Sequence, residues 1–164
     1  MNKETQSIIK NLENILSGQP WFGRAVYEIL GEIEESKVNA KPASPAGKPN
    51  NNSHSLLELL WHMNTWAEFT LASLENKNIE DLKEIEKNDW RTIDPKKNTW
   101  KKGMEQLKGT HQTIIELLKQ KTDDSFLSEI VVNRKYNFRF LLNGLIQHNI
   151  YHLGQISYLK KQMD

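Results

Sequence analysis

The segment Gln147–Ile156 reads Gln-His-Asn-Ile-Tyr-His-Leu-Gly-Gln-Ile and lies in the last apolar stretch of the chain. It contains no proline, and its two histidines, His148 and His152, are four residues apart. Residues at positions i and i+4 share one face of a helix, so both imidazoles can point toward one place. Imidazole is a common ligand of zinc and other late divalent ions.

The two histidines continue a helical stripe of leucines, which indicates that they face the protein interior. The members of this stripe are Leu141, Leu145, His148, His152 and Leu159. Two buried imidazoles without partners would cost free energy. A shared metal ion, with one more ligand from another helix, would remove that cost. The alternative is a pair of core histidines that are hydrogen-bonded separately.

A third histidine, His62, lies in the middle of an earlier predicted helix that runs from about Ser55 to about Glu75. Ser55 followed by Glu58 is a capping box, which marks the start of this helix. The helix is apolar on two sides, so we expect one side to pack on a bundle core and the other on a second subunit. A solvated histidine is not expected in such a leucine- and tryptophan-rich run, and His62 is the third candidate ligand.

Three other predicted helices complete the pattern. The first spans apolar positions from Ile8 to Ile33, and Gly18-Gln19-Pro20 should kink it or divide it in two, because proline disrupts helices. Another helix begins near Pro95 and ends near Gln120, and the last runs from Phe138 to Lys161.

The charged segment from Asn76 to Asn98 is too long for a tight turn between helices and indicates a crossover. The sequence therefore predicts an all-α protein, a four-helix bundle with a long crossover connection. Its 164 residues predict a single domain, residues 1–164.

Composition excludes several classes of function. Lys and Arg number 22 against 21 Asp and Glu, without long blocks of one sign, which argues against nucleic acid or an anionic membrane surface as partner. The absence of cysteine excludes disulfides, thiolate metal sites and a cysteine nucleophile. Residues 1–6 lack the apolar core of a signal peptide, and no apolar run approaches the ~20 residues that span a bilayer. We expect a cytoplasmic protein.

Several motifs carry a resemblance to a known family. They are Gly18-Gln19-Pro20-Trp21-Phe22-Gly23, the stretch His54-Ser55-Leu56-Leu57-Glu58-Leu59-Leu60-Trp61-His62, Asp89-Trp90, Trp100, and Gly144-Leu145-Ile146-Gln147-His148 with Tyr151-His152-Leu153-Gly154-Gln155-Ile156. The chain resembles the DinB/YfiT-like superfamily of metal-dependent four-helix bundle proteins over nearly its whole length, and the last motif is the most specific.

The resemblance implies a ligand set and a cofactor. One histidine of the second helix and two of the fourth bind a divalent ion in the family, usually zinc or nickel, and these positions match His62, His148 and His152. The resemblance also implies that homodimers are common. Characterised relatives include thiol-dependent transferases and isomerases, and many members have no known reaction.

The motif around His148 and His152 limits the chemistry. It lacks the glutamate of HExxH proteases and the Glu-x-x-His pairs of di-iron bundles. Three protein ligands leave one position open, as in catalytic zinc sites. We expect a divalent-metal-dependent enzyme, a hydrolase or a low-molecular-weight thiol S-transferase acting in stress response or detoxification. The alternatives are a non-catalytic metal- or small-ligand-binding bundle protein and a structural bundle with vestigial histidines.

The open position should face a cleft lined by Gly18–Gly23, Lys41–Asn52 and the start of the second helix, because breaks and loops expose backbone groups to a ligand. Gly144 and Gly154 should let another backbone or a ligand come close. Several other residues have roles that the sequence leaves open: His111 as a hydrogen-bonded neighbour, proton carrier or core residue, His54 as exposed or at the site mouth, Tyr151, Asn149 and Gln155 beside the ligands, and Trp21 in the core or a subunit contact.

Overall fold

The computed structural model describes residues 2–39, 41–42, 53–94 and 96–163, and within these ranges it contains helices and no β-strand. The elements are α1 (Lys3–Ser17), α2 (Val26–Gly31), α3 (Leu56–Leu74), α4 (Ile79–Glu86), α5 (Trp100–Lys119) and α6 (Phe138–Met163), with a 3₁₀ turn at Ser125–Ser128. The all-α prediction is confirmed. The predicted helix start near Pro95 is too early: Pro95 itself lies outside the described residues, but residues 96–99 are not helical and α5 begins at Trp100, where the Thr99 hydroxyl accepts the Lys102 N–H as an N-cap.

The four long helices, α1, α3, α5 and α6, form the bundle. Helix α3 packs against α5 and α6, and α1 packs against the same two helices. Helices α3 and α6 are therefore neighbours, which brings the histidines of both to one interface. The crossover between α3 and α5 contains α4, which packs back on α3.

The break after α1 separates two helices, as its sequence indicates. The amide oxygen of Asn14 accepts a hydrogen bond from the Gln19 N–H at 3.0 Å. A β-carbon at Gly18 would lie 2.5 Å from that Asn14 oxygen, so only glycine fits this tight exit. Trp21, which follows, is fully exposed, so the prediction that it could be a core residue is wrong.

Helix α3 begins with the predicted capping box, in which the Ser55 hydroxyl and the Glu58 carboxylate each accept the other residue's backbone N–H. Its second apolar side is covered by its own chain, because Leu60 is buried where α5 approaches at Gly103. A β-carbon on Gly103 would lie 2.8 Å from the Leu60 side chain. The expectation that this side needs a second subunit is therefore wrong, and a homodimer stays a prediction.

Helix α6 buries one face in the bundle and presents aromatic side chains on the other. Phe140, Tyr151 and Tyr158 are each between 63% and 64% exposed. A β-carbon added to Gly144 or Gly154 would meet no atom within 4 Å, so neither glycine marks a close backbone approach. Among the described helices, none has the length and apolar character required to cross a bilayer.

Candidate metal centre

The structure brings His62 of α3 together with His148 and His152 of α6. The Nε2 atom of His148 lies 3.0 Å from Nε2 of His62 and 3.0 Å from Nε2 of His152. One ligand nitrogen from each residue lies within 4.8 Å of the other two. His62 and His152 are buried and His148 is half-buried, because α3 and α6 pack directly against each other here.

The imidazole of His62 is oriented by Asp89, from the segment that follows α4. Its Nδ1 lies 2.7 Å from the Asp89 Oδ1 atom, which also accepts a hydrogen bond from the Trp66 indole N–H at 2.7 Å. A carboxylate accepts and cannot donate when ionised, so Nδ1 of His62 carries the ring proton. The Nε2 lone pair of His62 therefore points toward the other two histidines.

Gln155 orients His152 in the same way. Its amide oxygen lies 2.6 Å from Nδ1 of His152, and its amide nitrogen donates to the Tyr151 hydroxyl at 3.1 Å. Nδ1 of His152 accordingly carries the ring proton, and its Nε2 offers a second lone pair to the cluster. This placement supports the suggested positions of Gln155 and Tyr151 beside the ligands.

His148 lies between these two lone pairs and cannot satisfy both. With a proton on its Nε2, His148 can donate a hydrogen bond to one neighbouring imidazole only, and its Nδ1 is then a buried acceptor without a hydrogen bond. A proton on Nδ1 leaves three lone pairs facing one another. In either tautomer, the three imidazoles alone leave polar atoms unsatisfied, at a cost of about 1–3 kcal/mol for each buried group.

Protonation does not resolve this conflict at neutral pH. Burial, with smaller contributions from the neighbouring imidazoles, lowers the pKa of His148 to about 3. Burial likewise lowers the pKa of His152 to about 4. It also lowers the pKa of His62, although the Asp89 carboxylate opposes that shift. All three side chains are therefore neutral ligands at pH 7.

A divalent cation fits this donor set. Metal–nitrogen bonds of about 2.0–2.1 Å in a tetrahedral site separate the nitrogens by about 3.3 Å, close to the 3.0 Å from Nε2 of His148 to Nε2 of each of the other two histidines. The ring protons of His62 and His152 are already held by oxygen acceptors on the far side, the arrangement that usually supports metal-bound histidines. Among the described residues, the group contains three ligands and no fourth.

An aromatic stack covers the outer face of His62. The Trp90 ring stacks on His62 with centroids 3.9 Å apart and on His54 with centroids 3.6 Å apart. His54 is thus half-buried at the edge of the cluster, and the prediction that it is simply exposed is wrong. Its own ring is separated from the three histidines by Trp90, so it is not placed as a ligand.

His111 lies outside the cluster, in the core between α5, α6 and α2. Its Nδ1 is 2.8 Å from the Tyr27 hydroxyl, and its Nε2 is 3.3 Å from the Asn149 amide nitrogen. Asn149 also donates to the Leu145 carbonyl, so the hydrogen bonds of these two side chains lead away from the candidate ligands. The structure favours a core position for His111 and places Asn149 with it.

The predicted cleft is not formed as expected. A polar pocket beside the break after α1 is lined by Ser17, Tyr27 and His111. None of the three candidate metal ligands contributes to this pocket. The larger part of the Lys41–Asn52 segment lies outside the described residues. At the start of α3, His54 and Pro42 line a separate pocket that includes Gln155, the residue that orients His152. This part of the predicted cleft does border the cluster.

Sequence reasoning did not assign a role to Asp89, Trp66 or Trp90 in the cluster. The Asp89-Trp90 pair follows a charged crossover, and nothing in its spacing relates it to His62, 27 residues earlier. Only the fold of the crossover against α3 brings the carboxylate to Nδ1 of His62. The available signal was that Asp89-Trp90 is one of the motifs that carry the family resemblance.

Comparison with protein families gives a match over most of this chain. The model of the DinB superfamily matches residues 22–156, which include all three clustered histidines and the residues that orient them. A comparison with curated proteins finds no match.

Proposed function

The chain belongs to the DinB superfamily, and from that premise we propose that it is a divalent-metal-dependent enzyme with a mononuclear site formed by His62, His148 and His152. Family membership and the three-histidine cluster fit a metal-binding protein. Zinc or nickel is the proposed ion, because neutral imidazole suits both metals.

One observation carries the proposal. The Nε2 lone pairs of His62 and His152 each point toward Nε2 of His148 at 3.0 Å, and no placement of the ring protons satisfies all the nitrogens of His148 and its two neighbours. Buried polar groups in native proteins are nearly always satisfied, so a cluster of this kind supports a bound cation as the partner of the three nitrogens. Separately hydrogen-bonded core histidines, the alternative from the sequence, do not have this geometry.

The surrounding residues have distinct proposed roles. Asp89 holds His62 in the tautomer that offers Nε2, and the Trp66 indole N–H holds the carboxylate in place. Gln155 does the same for His152. Trp90 shields the outer face of His62 from water. When bound, the ion would act as a Lewis acid that lowers the pKa of water or of a thiol at its open position.

Thiol transfer is favoured over hydrolysis because, among the described residues, the carboxylate paired with the cluster is already occupied and is not available as a general base. Asp89 is the one described carboxylate paired with a clustered histidine, and it already accepts from His62 and Trp66. Residues 43–52, whose structure is not described, contain no acidic residue or histidine in their sequence. A thiol has a pKa of about 8.5, so a nearby cation must lower that pKa much less than the pKa of water for the group to ionise near pH 7. The thiolate sulfur would then attack an electrophilic carbon, whose leaving group departs with the bond electrons.

A paired activity screen tests this function. Zinc- and nickel-loaded protein is incubated with low-molecular-weight thiols and an alkylating electrophile, and in parallel with nitrophenyl esters. We expect metal-dependent consumption of thiol, abolished in His148→Ala, and slow ester hydrolysis. Metal-dependent ester hydrolysis without thiol transfer would instead favour the hydrolase.

The alternative proposal is a non-catalytic protein that binds a metal or a small ligand. It predicts a closed four-ligand shell, whereas the described part of the chain supplies three ligands. Stoichiometric metal with no turnover of either substrate class would favour this alternative over an enzyme.

A further inference from the structure

An apolar pocket lies between α3 and α6, beside the three-histidine cluster. Its volume is about 260 Å³, and its walls include Trp66 and Thr70 of α3, Gly144 and His148 of α6, and Tyr136 from the preceding segment. The pocket follows α6 from Phe140 to His148, which is about 12 Å at the helical rise per residue. One end of it is therefore the side chain of a proposed metal ligand.

The walls of this pocket are suited to an apolar group. Trp66 uses its only polar side-chain atom to bond Asp89, so it presents carbon surface to the pocket. The rings of Tyr136 and Phe140 lie 5.1 Å apart at the rim, and Phe140 is 64% exposed. Thr70 directs its hydroxyl to the Trp66 carbonyl, which removes another polar group from the surface.

The pocket is open to solvent at its rim, so a small-molecule group can enter it. An apolar cavity of about 150 Å³ is enough to bind benzene, so 260 Å³ accommodates a substituted aryl ring. Gly144 forms part of the pocket wall, and an added β-carbon would have no neighbour within 4 Å, so a larger side chain has room there and would narrow the pocket. Glycine is otherwise a poor choice in the middle of a helix.

We propose that this pocket binds the apolar, aryl-sized group of a small-molecule substrate whose reacting atom is held at the three histidines. The chemical identity of the reacting atom in this inference rests on the proposed metal-dependent function. The substrate is thus a thiol, or an electrophile that reacts with a thiol, and it carries an aromatic or short branched hydrocarbon group. A purely polar metabolite does not fit this class.

Two glycines of α6 provide a matched pair of variants. Gly144→Leu places a side chain into the pocket without changing a histidine, and Gly154→Leu introduces the same residue at an exposed position outside it. Both substitutions replace a poor helix former with a good one, so both proteins should fold. Circular dichroism and metal content check that they do.

Calorimetric titration with benzyl mercaptan, 2-mercaptoethanol and toluene tests the proposal. In the zinc-loaded wild type and in Gly154→Leu, we expect benzyl mercaptan to bind about 10–100-fold more tightly than 2-mercaptoethanol, the gain from burying a phenyl group. In Gly144→Leu this preference should fall to within about threefold while 2-mercaptoethanol binds as before. A preference that survives Gly144→Leu, or that is absent from the wild type, would overturn the proposal.

Toluene binding to metal-free protein tests the apolar pocket independently of the proposed metal site. If no zinc binds but toluene binds to the wild type and not to Gly144→Leu, the proposed metal function fails and the apolar specificity stands. If zinc binds and toluene does not, the apolar pocket fails and the metal function stands. Conversion of a dimer into a monomer by Gly144→Leu would mean that a second copy of the chain fills the pocket, and would also refute the proposal.

Discussion

Replacement of Asp89 tests whether the proposed metal site depends on the residues behind its ligands. The Asp89 Oδ1 atom accepts from Nδ1 of His62 and from Nε1 of Trp66, each at 2.7 Å. In Asp89→Asn, the amide oxygen can occupy the position of Oδ1 and accept both hydrogen bonds, so the change is mainly the loss of one negative charge. In Asp89→Ala, the Trp66 indole N–H loses this acceptor, and Nδ1 of His62 keeps only the backbone carbonyl of residue 89, at 3.3 Å, so the imidazole is held less firmly.

The expected losses follow from these contacts. Partners of metal-bound histidines usually contribute 10–100-fold to metal affinity, or about 1.4–2.7 kcal/mol. We expect Asp89→Asn near the lower limit and Asp89→Ala near the upper limit of that range. Asp94→Asn, at a half-exposed position later in the same crossover, is the matched control and should change zinc affinity less than about twofold.

The assay is competition for zinc against a chromophoric chelator at fixed pH and ionic strength, with circular dichroism to confirm folding. The order wild type, Asp89→Asn, Asp89→Ala in decreasing affinity supports this arrangement of the site. Affinities of both Asp89 variants within about twofold of the wild type would refute it, because they would show that the metal does not depend on His62 held by Asp89.

Two further predictions concern stability and assembly. Burial lowers the pKa of His111 to about 3, whereas an unfolded histidine titrates near 6.5, so the unfolded state binds more protons as pH falls and stability is lost between pH 6.5 and 3. At pH 5 this loss is about 2 kcal/mol. Denaturant unfolding of the metal-free proteins should therefore show that the free energy of unfolding falls between pH 7 and pH 5 by about 2 kcal/mol less in His111→Gln than in the wild type. An equal fall in both proteins would contradict this prediction. We also propose a homodimer in which the fully exposed Trp21 is a subunit contact, so light scattering at micromolar concentration should give twice the 19.1 kDa chain mass, and a monomer mass would rule it out.

The helices and the three clustered histidines were predictable because they depend on local patterns. Apolar periodicity, the Ser55 capping box and the Gly18–Pro20 break act within a few residues and specify where helices begin and end. The i,i+4 spacing of His148 and His152 places both on one face of α6 before any tertiary contact is considered. His62 required one more inference, that a histidine within an apolar helix has a partner.

The rest of the site depends on long-range packing, which periodicity does not encode. Asp89 reaches His62 only because the crossover returns to α3, and Trp90 fits between two histidines for the same reason. The two apolar sides of α3 cannot be told apart by sequence, and the structure alone shows that α5 covers one of them at Gly103. The core placement of Trp21 was wrong because the hydrophobicity of the side chain does not show that it follows a helix end, where side chains often remain exposed; a subunit contact stays a prediction.

Elemental analysis of the untagged protein, purified without chelators, tests the central proposal most directly. The wild type should carry about one zinc or nickel ion per chain, and His148→Ala should carry almost none, because its loss leaves two ligands. His111→Gln, which removes a buried histidine outside the cluster, should keep the metal of the wild type. Wild-type protein without metal even after incubation with zinc and nickel, or full retention of metal in His148→Ala, would contradict the account.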